Sequence, residues 1–165
     1  DYLEADIIAR DYHLSTGFVG VSYLLPELTR AGRTATAYRL LHQDTFPSWL
    51  FSVKMGATTI WERWDSIRPD GSVNPGDMTS FNHYAFGAVA QFMHEIVGGL
   101  APAEPGYRKI RIAPIPGHSI TSATSRLRTP YGLAECSWKL SGGQLKQQRV
   151  TLRNLKQNLL SEILE

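Results

Sequence analysis

The hydrophobic period of this chain changes near residue 100, and that change limits the fold more than any other feature of the sequence. Before it, apolar residues recur at helical spacing. Residues 18–31 carry Phe18, Val21, Leu25 and Leu28 on one side, between Gly17 and Gly32, and Pro26 is expected to kink this helix or divide it in two. A second helix is predicted over 34–43, with Ala37, Tyr38, Leu40 and Leu41 inward, and a short one over 48–54 after Pro47. The strongest helical pattern covers 79–97, through Phe81, Tyr84, Ala85, Ala88, Val89, Phe92 and Ile96, and stops at Gly98-Gly99. Residues 101–106, rich in proline and glycine, read as a linker. Beyond them, 109–113, 119–128, 131–140 and 144–152 read as strands joined by the turns TPYG and SGGQ. The prediction is a helical part over 1–100 and a small antiparallel β domain over 107–165. A narrow stripe of Leu152, Leu155, Leu159 and Ile163 suggests a terminal helix.

With 165 residues the chain has enough material for one ordinary domain or two small ones. Apolar residues at 42% and charged residues at 19% match average soluble usage, and no apolar run is long enough for a membrane helix. The net charge of +2, spread thinly, argues against a nucleic-acid groove, which relies on a concentrated basic face. Cys136, the one cysteine, cannot form a bridge within the chain, so the compartment stays open. The chain begins with no charged-then-apolar leader; a targeting signal is expected to be absent or to lie upstream.

Chemistry concentrates in the stretch GATTIWERWDS, where Trp61 and Trp64 flank Glu62, with Arg63 and Asp65 beside them. The surrounding irregular segment, 56–76, also holds Asp70, with Asp77 just after it, and irregular runs of this length are uncommon in compact domains unless they serve a function. Sugar rings stack their C–H faces on indoles and need fixed acceptors for their hydroxyls. Glycosidic hydrolysis further needs two carboxyl groups, one acidic and one ionised. The plainer alternative is a structural carboxylate paired with Arg63 or Arg68 under a tryptophan lid. In SFNHYAFGAV, Asn82 and His83 fall at the predicted start of the long helix, where main-chain N–H groups and a partial positive charge meet a ligand's oxygens. A histidine beside Phe81 and Tyr84 also fits an ordinary core position. His83 and His94 are too far apart for one metal, and no metal-binding, nucleotide-binding or serine-hydrolase motif occurs. Neither a cofactor nor a metal is expected.

Four segments in order, TGFVGVSYLLPELTRAGRTATAYRLL, PSWLFSVKMGATTIWERWDS, SFNHYAFGAVAQF and PGYRKIRIAPIPG, resemble the C-terminal part of bacterial α-L-rhamnosidases, the inverting glycoside hydrolases of family 78. The resemblance covers roughly residues 14–140. It implies a partial six-hairpin α/α barrel (α/α toroid) followed by a small antiparallel β-sandwich domain. It implies Glu62 as the general base, His83 as a contact of the cleaved rhamnose, and Trp61, Trp64 and Asn82 as neighbours of the sugar. The general acid would lie upstream, outside this chain. Rhamnose-containing glycosides are then the expected substrates. The remainder of the catalytic domain, or copies of the same chain, are the expected protein partners; alone the chain is expected to be inactive, to aggregate or to self-associate. Two departures stand out: Thr79 replaces an expected asparagine, and the tail after Leu145 does not look like the family. Two other readings remain open, another glycosidase on the same barrel and a non-catalytic carbohydrate-binding or structural module.

Overall fold

The computed structural model describes residues 2–153, with side chains through residue 145, and divides into two compact units, Asp1–Val89 and Ala90–Glu165. In the first unit four helices precede a long irregular segment: α1 (Tyr2–Ala9), α2 (Phe18–Arg30), α3 (Thr34–His42) and α4 (Trp49–Lys54). Helix α2 runs without a break through Pro26. Burial of Leu24 and Leu25 before the proline and Leu28 after it, each worth about 1.5–3 kcal/mol, outweighs the roughly 3 kcal/mol that an internal proline costs. Helix α3 packs on α2 with Ala37, Tyr38 and Leu40 fully buried. Helix α4 starts at a buried Ser48 whose Oγ accepts the Phe51 N–H at 3.0 Å. Glu4 ties α1 to α3, accepting from Thr36 Oγ1 at 2.8 Å and from Arg33 Nε at 2.9 Å.

The predicted long helix over 79–97 is not formed as such. Helical structure begins only at Ala85, as a tight 3₁₀ turn (Ala85–Ala88), then α5 (Val89–Phe92) and a π-helical turn (Met93–Val97) capped by Gly98. The reason lies in where the main-chain hydrogen-bonding groups of 80–83 go. Glu62 N–H donates to Ser80 O at 2.8 Å and His83 N–H to Ile60 O at 2.8 Å, so this stretch is tied laterally to 60–62. Those bonds use groups a helix would need, and the Phe81 ring packs edge-on against Trp61. Apolar spacing alone does not distinguish the two outcomes.

The second unit holds two antiparallel sheets. β1 (Leu100–Pro102) pairs with β2 (Ile110–Ile112), so the predicted linker in fact contributes a strand; Leu100 and Ala101 are buried there, and Pro102 stands at the strand's end, where a missing N–H costs least. β3 (Ser122–Thr129), β4 (Gly132–Ser141) and β5 (Gln144–Arg153) follow as a meander. The second of its hairpin loops, Gly142-Gly143, has φ of 60° and 76°, the left-handed values that a two-residue turn between twisted strands requires. Leu100, Ala134 and Cys136 form one apolar cluster with Ile110, Ile112 and Leu127, so both sheets share a core, as expected of a small β-sandwich. Burial pushes the Cys136 thiol pKa up. The terminal stripe at Leu155, Leu159 and Ile163 lies outside the described residues.

Candidate active site

The segment between α4 and the turn at Ala85 is held at both ends of its WERWD core by aromatic packing. Trp61 is 5% exposed and meets Phe81 edge-on at 5.6 Å. Trp64 stacks on Phe86 at 3.8 Å and 8°, meets Trp49 edge-on at 5.5 Å, and donates Nε1–H to Thr16 O at 3.1 Å. The indoles thus spend their faces and the Trp64 N–H on the protein, and they fix the backbone on either side of Glu62.

Glu62 itself is half-buried. Its Oε2 accepts the Ser80 N–H at 2.8 Å, while its own N–H donates to Ser80 O at 2.8 Å, a reciprocal pair between two residues far apart in sequence. Among the described residues no cation pairs with it. Arg63 turns instead to Asp65, Nε to Oδ1 at 2.9 Å, so the structural ion pair with Arg63 or Arg68 is not formed. Asp65 extends this into a brace: Oδ2 accepts from Asn74 Nδ2 at 2.7 Å, and Asn74 Oδ1 accepts the Gly76 N–H at 2.9 Å. Thr79 Oγ1 then donates to Gly76 O at 2.8 Å, one residue before Ser80. Asp70 is turned to Ser72, whose N–H and hydroxyl hold its carboxyl below the usual range.

His83 is brought to the same place by its N–H bond to Ile60 O. Its ring is nearly parallel to those of Phe18, at 4.5 Å, and Tyr84, at 5.5 Å, and Nδ1 accepts the Ala85 N–H at 3.3 Å. Asn82 is exposed and donates its N–H to Ser80 Oγ at 3.1 Å. The helix N-terminus predicted at these residues is therefore absent; Asn82 and His83 are set by the lateral pairing with 60–62 rather than by a helix end. Sequence reasoning did not single out Ser80 or Asn74. Asn74, 7% exposed, has an asparagine-then-glycine spacing typical of a side-chain turn, but the Ser80 amide carries no signal in the sequence at all.

Residues 1–97 match the model of the bacterial alpha-L-rhamnosidase 6 hairpin glycosidase domain, and residues 99–152 match that of the bacterial alpha-L-rhamnosidase C-terminal domain. The chain belongs to the bacterial α-L-rhamnosidases. An α-L-rhamnosidase of Streptomyces avermitilis is 50% identical over 143 residues, which is 87% of this chain and 14% of that protein. One from Formosa agariphila is 46% identical over 135 residues, 82% of this chain and 15% of that protein. Among solved structures, the Streptomyces avermitilis α-L-rhamnosidase complexed with L-rhamnose aligns with a TM-score of 0.81 at 50% identity, covering 84% of this chain and 14% of that one. The native α-L-rhamnosidase from Aspergillus terreus aligns with a TM-score of 0.82 at 48% identity, covering 85% and 16%. The chain therefore carries part of the family's helical six-hairpin domain followed by antiparallel sheets, and spans 14–16% of the length of these relatives.

Proposed function

We propose that this chain carries the general-base half of an inverting α-L-rhamnoside hydrolysis. The observation that supports this most directly is the Glu62 carboxylate: Oε2 is held by the Ser80 N–H, Oε1 takes no hydrogen bond from the described residues, and no cation among them neutralises the charge. An oxygen so placed takes a proton from water as the water oxygen bonds to the anomeric carbon. The glycosidic C–O bond breaks on the opposite side, where a general acid outside this chain, about 6.5–9.5 Å from Glu62, protonates the departing oxygen. His83 and Asn82 meet the sugar's hydroxyls in this reading. Trp61 and Trp64, as neighbours of the sugar site, stand behind it and hold the loop that carries Glu62 rather than contacting the sugar's reacting centre.

The experiment is Glu62→Gln in the full-length protein carrying this sequence, assayed on an aryl α-L-rhamnoside beside a panel of other aryl glycosides. Turnover should fall by about 10²–10⁴, with rhamnose binding retained. Undiminished hydrolysis by the variant ends the assignment; preference for another glycoside in the panel moves the substrate to that sugar; rhamnose binding with no hydrolysis by any form points to a binding module.

The remaining surface fits a role inside a larger assembly. Val19 and Tyr23, one turn apart on α2, are 86% and 64% exposed, and Tyr2 on α1 is 92% exposed. In our proposal these apolar side chains are covered by the remainder of the catalytic domain or by another copy, with 1–100 contributing to the barrel and 107–165 forming the β domain.

A further inference from the structure

We propose that Ser80 is a positioning residue that sets both halves of the site, aiming Glu62 through its main-chain amide and fixing the turn that carries His83 through its hydroxyl. This rests on the assignment of Glu62 as general base. All three polar groups of Ser80 are committed. Its N–H goes to Glu62 Oε2, its C=O takes the Glu62 N–H, and its Oγ accepts the Asn82 N–H, one residue before His83. No other described residue touches the Glu62 side-chain oxygens by hydrogen bond. The orientation of the carboxylate therefore depends on a single donor that belongs to the backbone. A carboxylate anchored through one oxygen has fewer orientations open to it while its other oxygen stays free, which is what a base needs if it is to meet a water molecule held under a sugar. The brace from Asp65 through Asn74 and Gly76 to Thr79 ends one residue before Ser80, and so holds the donor itself in place.

The two functions of Ser80 are separable. Replacement of Ser80 by its α-hydroxy analogue exchanges the N–H for an ester oxygen and keeps the hydroxyl, Ser80→Ala removes the hydroxyl but not the N–H, and Ser80→Pro removes both. Ser80→Thr keeps all the committed groups. The test measures kcat and KM on an aryl α-L-rhamnoside in the full-length protein, with rhamnose binding by calorimetry and a thermal melt for each variant. The α-hydroxy analogue is expected to lower kcat by about ten- to a hundredfold, the size of one lost hydrogen bond to a charged group, with rhamnose affinity little changed, and Ser80→Pro to combine that loss with the KM effect of the missing hydroxyl. Ser80→Ala is expected to raise KM about threefold to tenfold with kcat nearly intact, because only the His83 turn is loosened. Ser80→Thr should restore both to within about threefold, the residual effect expected where the lost groups are present again.

A purely structural Ser80 would lower the melting temperature of Ser80→Pro and Ser80→Ala and leave the kinetics of the folded enzyme alone; that result overturns the proposal. The α-hydroxy analogue isolates the N–H whether or not Ser80→Pro folds, and an unchanged kcat in it overturns the proposal. Glu62→Gln is assayed in parallel. If Glu62→Gln remains active the base assignment has failed; if it is inactive while all Ser80 variants behave as parent, only the role of Ser80 has failed.

Discussion

Replacing Trp64 separates a wall of the site from a surface that touches substrate. The indole makes a stack on Phe86 at 3.8 Å, an edge contact with Trp49 at 5.5 Å, and an Nε1–H bond to Thr16 O at 3.1 Å. Two aromatic pairs contribute about 1–3 kcal/mol beyond the area they bury. Truncation to alanine leaves a cavity as well, and Trp→Ala in a core costs about 3–5 kcal/mol; since Trp64 is only half-buried, the lower end of that range applies. Trp64→Phe retains a ring for the stack and loses the donor to Thr16 O, at about 1–3 kcal/mol. At no more than about 2–4 °C per kcal/mol, the range for domains of 150–250 residues, Trp64→Phe should melt below the parent by no more than roughly 12 °C and Trp64→Ala further below still. The assay is thermal unfolding of the full-length protein followed by near-ultraviolet circular dichroism, with kcat/KM on an aryl rhamnoside measured well below each transition. If the indole works by holding the loop, Trp64→Phe keeps kcat/KM within about threefold, since no transition-state contact is removed. A kcat/KM loss of about thirtyfold or more with an unshifted melt would refute the reasoning and place the indole against the sugar.

Two further predictions concern the framework. Gly98 has φ −81°, open to any residue, so Gly98→Ala acts by crowding alone: a Cβ there would meet Ser125 Oγ at 1.6 Å and His94 O at 2.9 Å. The variant should lose about 1–3 kcal/mol in denaturant unfolding, and Ser125→Ala in the same chain should recover part of it; additive losses would show the clash to be imaginary. Burial pushes the Tyr38 phenol up to about 12, so the folded chain keeps a proton that the unfolded chain releases near pH 10. The contribution is complete below pH 10 and is lost as pH rises from about 10 to 12, so stability should fall more steeply there than in Tyr38→Phe; parallel curves would contradict it.

Much of this architecture can be read in the residues because local and tertiary signals agree. Leu24, Leu25 and Leu28 bury one face of α2, Ser48 caps α4, and Gly142-Gly143 closes a hairpin that period-two alternation already indicates. The failures fall where tertiary bonds compete with local pattern. Phe81 and Tyr84 sit at helical spacing, yet the chain at 80–83 is tied to 60–62, and no propensity records a bond to a partner eighteen residues away. Leu100–Pro102 was hidden by its proline, although Leu100 is fully buried in the β unit. At the candidate site, Glu62 and His83 stand out by residue type and by family resemblance. Ser80 does not, because its most important contact is made by an atom that every residue but proline possesses.

The bond from the Ala85 N–H to His83 Nδ1 has a chemical consequence of its own. A ring nitrogen that accepts a hydrogen bond carries its lone pair there, so the neutral imidazole bears its hydrogen on Nε2. The Nε2 edge of His83 thus gives a hydrogen rather than receiving one. In the proposed reading such an edge favours the lone pairs of a hydroxyl oxygen over an ammonium group, so an amino sugar bearing its nitrogen at that position should bind more weakly than the corresponding alcohol.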